Sequence, residues 1–167
     1  VILIKQVQER GKPIAFDYET NTLKPDSRIA QIVSCSVSDG KETFAFPWYG
    51  KARDAMGELL RSRVPKYGWN VKFEDRWTRK EFGFGVRNWQ WDGMLATHVL
   101  DNRASICSLK FQSFVLLGQE SYDDHIKPFL KSKDSNSLNR IKQLDLKQLL
   151  TYNSLDALLE WKIAKIQ

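Results

Sequence analysis

The sequence predicts an α/β fold: a mixed sheet, opening as an antiparallel meander and continuing with parallel strands, packed by helices. Three observations predict it. Short apolar strand signals crowd the first half of the chain, and a turn signal, Asp39-Gly40, joins two of them. From Asp92 onward the apolar period lengthens to that of a helix. Strands first, a mixed middle and helices last, within 167 residues, make one domain with a core of its own.

Taken in order, Lys12-Pro13 precedes Ile14-Ala15-Phe16, a short apolar run that reads as the first strand. A second strand runs from near Ile29 to Ser38, and a third, Glu42 to Phe46, follows the turn. Residues 51–62 read as a helix, Tyr67-Gly68-Trp69 as a short buried strand, Lys72 to Phe82 as a helix and Trp89 to Trp91 as the last strand. Met94, Leu95, His98 and Val99 then fall at helical spacing, as do Leu109, Phe111, Val115 and Leu116. Residues 119–136 are polar, contain Pro128 and read as a loop. Leu146 to Ile166 has the pattern of a long amphipathic helix, with Asp145 placed to cap it. No repeat or low-complexity tract interrupts the series. Val1 in place of Met, and a helical pattern still running at Ile166-Gln167, read as a single domain, residues 1–167, cut from a longer chain.

A composition of 42% hydrophobic and 12% aromatic residues argues against disorder, and no apolar run is long enough for a membrane span. Cys35 and Cys107 both sit in mostly apolar, periodic segments and read as reduced buried thiols, which suggests a cytoplasmic setting. Two His and two separated Cys do not make a structural zinc site. The net charge is +6 and unevenly spread: Arg61 to Arg87 holds eight Lys/Arg against three Asp/Glu, a net of +5. Such a surface suits a polyanionic partner, and it also suits a merely solvated helix face.

Three stretches carry chemistry. In Phe16-Asp17-Tyr18-Glu19-Thr20, strand alternation puts Asp17 and Glu19 on one face and Ile14, Phe16 and Tyr18 on the other. Two carboxylates side by side repel, and a hard divalent cation removes that cost; an exposed face carrying two acids is the plain alternative. On the last helix, Tyr152 and Asp156 are four apart and share a stripe with Leu149, Leu159 and Ile163. An unpaired carboxylate in an apolar row is expensive, so Asp156 needs either a cation shared with Asp17 and Glu19 or a salt bridge to a Lys or Arg elsewhere. The third stretch, Trp69-Asn70-Val71-Lys72-Phe73-Glu74-Asp75-Arg76, places Asn70 at a strand-to-helix junction. It also puts Glu74 and Asp75 in a first helical turn, where the helix dipole alone would favour acids.

The order Phe-Asp-x-Glu-Thr, Asn-x-Lys-aromatic-acid and Tyr-x₃-Asp resembles the three motifs of the DEDD, or DnaQ-like, 3′→5′ exonucleases with a catalytic tyrosine, above all the proofreading domains of bacterial and phage family A DNA polymerases. Trp91-Asp92-Gly93-Met94-Leu95 and Ser108-Leu109-Lys110 resemble the segments between the second and third motifs, so the likeness covers nearly the whole chain. It implies a ribonuclease H-like fold and two divalent cations, Mg²⁺ or Mn²⁺. Asp17, Glu19 and Asp156 would hold the catalytic ion, Asp17 would bridge to the second, and Tyr152 would orient the attacking water. Thr20, Leu23, Asn70 and Phe73 match positions that contact the 3′-terminal nucleotide. The implied partners are a single-stranded DNA 3′ end and a polymerase domain in the same or another chain; the implied setting is bacterial cytoplasm, or a host's if the chain is phage-encoded.

One departure stands out. The family usually carries Asp where this chain has Glu74, with Asp75 directly after; the register from Lys72-Phe73 favours Glu74 as the third acid, catalytic and metal-holding, and Asp75, about 100° round the helix, is the alternative. Trp69, Phe73 and Trp77 offer aromatic surface for base stacking, and Lys72, Arg76, Arg79 and Lys80 offer charge for backbone phosphates. Two other readings stay open: an RNA-trimming nuclease of the same superfamily, and a degenerate fold kept only for binding.

Overall fold

The computed structural model describes residues 1–167. Its centre is a five-stranded sheet of order β3-β2-β1-β4-β5, built from β1 (Ile14–Thr20), β2 (Ile32–Ser38), β3 (Thr43–Pro47), β4 (Lys66–Gly68) and β5 (Trp89–Asp92). The first three pair antiparallel; β4 and β5 join β1 in parallel. This is the mixed sheet the sequence predicts. The hairpin turn between β2 and β3 needs Gly40: it sits at φ 79, and a side chain there would collide with the Trp161 ring. Asp39 closes the turn by accepting the amides of Lys41 and Glu42.

The two faces of the sheet differ in kind. Ile14, Phe16 and Tyr18 of β1 and Cys35 and Val37 of β2 point into the main core. Helices α1 (Ile2–Arg10), α2 (Gly50–Arg61) and α3 (Lys72–Phe82) cover that face with Ile4, Val7, Met56, Leu59, Leu60 and Trp77. On the opposite face, Ala15, Asp17 and Glu19 lie directly across from Ser38, Ser36 and Ser34. These are small side chains, and the long helix α7 (Leu146–Ile166) packs across them. Helices α4 (Gly93–Leu100) and α5 (Leu109–Leu117) flank α7, where Leu109 meets Leu159 and Ile163. Asp145 caps α7 as its position implies, accepting the Gln148 amide. No helix is long and apolar enough to cross a membrane.

Several expectations change. The sequence reading has no helix before β1, yet α1 forms. Only Ile4 and Val7 of it are buried, while the equally apolar Ile2 and Leu3 face out, so no clean period marks it. Strand β2 begins at Ile32 rather than Ile29, because the Asn21 side chain binds the Ile29 carbonyl and the Gln31 amide and turns the chain there. Residues 119–136 are not all loop: a one-turn helix, α6 (Lys127–Leu130), forms with Pro128 as its second residue, where the missing N–H costs nothing in a first turn. Both cysteines are free thiols, but only Cys35 is buried; Cys107 is half-exposed ahead of α5.

Candidate active site

Strand alternation and sheet position bring the first two acids together. Asp17 and Glu19 point from β1 toward α7, and Asp156 descends from α7 to meet them. One ligand oxygen from each lies within 4.8 Å of the other two. Glu19 and Asp156 are buried, and Asp17 is nearly so. Burial first, and then the Asp156 charge, hold the Asp17 carboxyl well above the usual carboxylate range, while Lys110 and the Asn153 amide pull it back. Burial, then Asp17 and Asp156, raise Glu19 in the same way.

The cluster is partly compensated from the protein. Lys110 on α5 donates to Asp156 Oδ2 at 2.6 Å, so the salt bridge that the sequence left open for Asp156 exists beside the three-acid cluster. Burial works against the Lys110 ammonium, but Asp156, Asp17 and Glu19 together keep its pKa above the ordinary value. The Tyr122 hydroxyl donates to the other Asp156 oxygen. Asn153, one residue after Tyr152, donates to Asp17 Oδ2 at 2.7 Å and to Ser36 Oγ at 3.0 Å, and accepts from Ser34 Oγ at 2.9 Å. Tyr152 itself lies beside Lys110, whose ammonium is 4.9 Å from the ring centre. Burial, and then the Asp156 and Glu19 charges, push the Tyr152 phenol far up, so it stays protonated.

Of the two neighbouring acids on α3, one faces inward. Glu74 is 3% exposed, whereas Asp75 turns away, accepting the Val86 amide at 2.8 Å and pairing with Arg79 at 2.7 Å. The rotation of α3 that does this is held by Thr78, on the Glu74 face, whose hydroxyl pairs with that of Tyr18 at 3.1 Å. Glu74 does not join the group of three within 4.8 Å. Burial, followed by Asp17, raises its carboxyl well above the usual range, and its enclosed Oε2 has no hydrogen-bond partner.

Leu23, Asn70 and Phe73 line one pocket of about 180 Å³ with Pro25, Lys72 and Arg76. Thr20 is buried beside it in sequence but outside it, its hydroxyl donating to the Thr22 carbonyl. Asn70 holds a left-handed conformation, φ 62, which Asn tolerates better than most residues. Asp92 secures it: one carboxylate accepts the amides of Asn70, Val71, Met94 and Leu95.

Some expected surface residues are not surface residues. Trp77 is fully buried in the main core, because the inward face of α3 carries positions 74, 77 and 78; it closes the inner wall of the pocket beside Phe73 rather than standing at the surface. Trp69 is half-buried, with its indole N–H on the Cys107 carbonyl. Lys80 donates to the carbonyls of Ser27 and Ala30 and Arg79 pairs with Asp75; Lys72 and Arg76 line the pocket, Arg76 with an exposed ion pair to Asp26 at 3.0 Å. Sequence reasoning missed Asp92, Lys110, Tyr122 and Asn153. Asn153 had a signal, three residues before Asp156 on one face of a helix, and Lys110 had its place in Ser108-Leu109-Lys110; Tyr122 lay in a polar stretch with no period at all.

Three acids from β1 and α7 thus converge on one side of the sheet, a donor set of hard oxygens. The chain matches the 3′-5′ exonuclease family over residues 2–166 and belongs to it. Among solved structures, Brucella melitensis NrnC with bound Mg²⁺ superposes with a TM-score of 0.67 at 18% identity, covering 92% of this chain and 70% of that one. Escherichia coli RNase D, an exoribonuclease involved in structured RNA processing, gives 0.69 at 14% identity over 99% of this chain and 40% of its own. The POL domain of Pol1 from M. smegmatis, solved with DNA primer-template and dNTP, gives 0.66 at 13% identity over 98% of this chain and 25% of its own. At such identities the likeness establishes the fold, the ribonuclease H-like fold of the DnaQ-like exonucleases. No curated protein matches the sequence.

Proposed function

We propose that the chain is a two-metal-ion 3′→5′ exonuclease that removes nucleotides from single-stranded DNA 3′ ends, proofreading for a polymerase domain in the same or a partner chain. The observation that carries this reading is the convergence of Asp17, Glu19 and Asp156 within 4.8 Å. Three hard oxygen ligands with a single Lys for compensation suit Mg²⁺ or Mn²⁺. Asp17, Glu19 and Asp156 would hold one ion, and Asp17 with Glu74, whose enclosed oxygen lacks a donor, would hold the other. When bound, the ions supply the positive charge that activates water and stabilises the leaving oxygen of an in-line displacement.

The protein groups position the substrate. Tyr152, held protonated, donates a hydrogen bond that orients the attacking water beside Asp156. The terminal nucleotide enters the pocket of Leu23, Asn70 and Phe73, where Phe73 stacks on the base; Thr20 holds the Thr22 carbonyl, the residue before Leu23. Lys72 and Arg76 face the backbone phosphate there. On the far side of Tyr152 a groove of about 650 Å³, lined by Tyr122, His125, Lys147, Gln148 and Thr151, gives room for the preceding nucleotides.

RNA is the second reading, favoured by the fold shared with RNase D and with an NrnC solved bound to pGG. Matched 5′-labelled DNA and RNA strands, incubated with Mn²⁺ and with EDTA, decide. A ladder shortening from the 3′ end of DNA, abolished by EDTA, is expected. Faster loss of RNA would move the function to RNA trimming, and tight binding without cleavage in either metal would reduce the chain to a binding module.

A further inference from the structure

The basic stretch from Arg61 to Arg87 is only half used by the pocket and its surroundings. Lys72 and Arg76 line the pocket, Arg79 pairs with Asp75, and Lys80 is tied to the carbonyls of Ser27 and Ala30. Arg61, Arg63, Lys66 and Arg87 are left, and none of them forms an ion pair. The backbone gathers these four at the end of the sheet where β1 and β4 begin. The Arg87 amide donates to the Leu60 carbonyl at 3.0 Å, the Lys66 amide to the Asn88 carbonyl at 3.0 Å, and the Asn88 side chain to the Arg63 carbonyl at 2.6 Å. The Ile14 amide donates to the Pro65 carbonyl at 3.0 Å, which brings the chain at exposed Lys12 to the same edge.

Lys66 sets this cluster apart from a solvated basic face. It is fully buried. Lysine is almost never so unless paired, yet its ammonium bonds only Ser62, 2.8 Å from the carbonyl and 3.5 Å from the hydroxyl. Burial, and then the charge of Arg87, lower its pKa to about 8. Arg61, Arg63 and Arg87 are exposed in the segments that enclose it. Arg61 is steadied over the Phe84 ring, 4.9 Å from its centre. The acid nearest in sequence, Glu58, forms no ion pair either. Like charges are thus set together at a cost, with no carboxylate bonded to any of them.

We propose that Lys12, Arg61, Arg63 and Arg87, backed by Lys66, form a second phosphate-binding surface, which holds the backbone of a nucleic-acid strand on the 5′ side of the end being cleaved. Forked guanidinium donors match phosphate oxygens and read no sequence. Asp17 and Glu19 lie further along β1 than Ile14, by about 10 and 17 Å at the rise of a strand. Only a strand of several nucleotides reaches both places. The inference rests on the nuclease reading above for its ligand and adds a contact that a short substrate cannot make.

The test uses the full chain in EDTA with a fluorescent thymidine strand of about 30 nucleotides, titrated at several KCl concentrations. Arg63→Gln/Arg87→Gln should weaken binding about tenfold and lower the slope of log K against log salt by roughly 0.7 for each arginine removed. A control that removes equal charge elsewhere, Lys5→Gln/Lys162→Gln, should change the affinity by less than about twofold. Cleavage of a trinucleotide in Mn²⁺ should keep the parental kcat/KM in both. Equal weakening by the control would overturn the proposal in favour of diffuse attraction, and a slowed trinucleotide would overturn it by placing the arginines at the reaction. Parental affinity and slope in Arg63→Gln/Arg87→Gln would also overturn it; if that variant has meanwhile lost calorimetric binding of inorganic phosphate, the surface takes the free ion instead. Should the parent cleave nothing yet bind the strand through these arginines, the nuclease reading falls and this one stands. Should the double variant fail to fold, Arg63→Glu alone decides: a loss of at least about tenfold is expected, and parental binding would overturn the proposal.

Discussion

The two faces of the central sheet hold opposite kinds of side chain. The face toward α1, α2 and α3 belongs to a core of 17 buried residues, whereas the α5–α7 side holds a cluster of three, Leu109, Leu159 and Ile163. What fills the second face instead is Asp17, Glu19, Asp156, Asn153 and a row of serines. Alternate residues of one strand, β1, serve both. Stability is concentrated on one side of a sheet only one residue thick, and a costly polar site is held on the other.

The comparison is sharpest in neighbouring positions on β1. Asp17→Ala should abolish cleavage, a loss of more than about 10³-fold or roughly 4 kcal/mol of transition-state stabilisation. The thermal midpoint without metal should hold or rise, since one of three crowded acids is gone. Phe16→Ala, one residue earlier, should do the reverse. Phe16 is fully buried and stacks on Trp89, so its truncation should cost about 3–5 kcal/mol of stability. The fraction still folded should cleave at the parental rate. Gel assays paired with thermal unfolding check both; an Asp17→Ala protein that cleaves normally would remove the metal assignment altogether.

A smaller effect is expected on α3. Glu74→Gln keeps the size of a buried acid and should slow cleavage about 10²-fold, or about 2.7 kcal/mol. Asp75→Asn should change the rate by less than about threefold. It should cost on the order of 1 kcal/mol of stability through the weakened cap at Val86 and the lost Arg79 pair. If the ranks of these two variants are exchanged in a single-turnover assay, the third acid is Asp75 and the helix register is wrong.

The mildest perturbation is pH. Asp17, Glu19 and Glu74 all have folded pKa values raised above their unfolded ones. Their contribution is therefore most favourable below the unfolded carboxylate range, near about 4. It is lost as pH rises through the raised folded values. In EDTA the thermal midpoint should fall between mildly acidic and neutral pH. Excess Mn²⁺ should flatten or reverse that slope, because metal binding needs the deprotonated acids. A midpoint that rises with pH in EDTA would show that the cluster is not strained without a cation.

The fold was legible wherever burial was one-sided. Ile14, Phe16 and Tyr18 alternate with Asp17 and Glu19, and that alternation located β1 and separated core from chemistry before any coordinates. Helix α7 was legible from its period. Helix α1 was not, because only Ile4 and Val7 of it are buried while the equally apolar Ile2 and Leu3 face out. In the site, the acids were readable because a carboxylate in an apolar pattern is an anomaly. Lys110, Tyr122 and Asn153 are ordinary residues in their own segments, and only the fold shows that they converge on Asp17 and Asp156. Trp77 failed for the converse reason: an aromatic in a basic helix looks like a ligand platform until the helix phase turns it inward.

The serines of β2 act as gauge blocks. Ser34 and Ser36 are fully buried beneath α7, directly across from Glu19 and Asp17, and Asn153 rests on both hydroxyls. Their height fixes how closely the helix can lie on the sheet, and so the distance from Asp156 to the two acids of β1. A valine at Ser36 would lift α7 by the thickness of the added methyl groups and remove the hydroxyl that seats Asn153. Metal ligation tolerates errors of only about 0.2 Å. The tolerance of the proposed metal centre is therefore set by residues that bear no charge and hold no ion, the smallest polar side chains in the sheet.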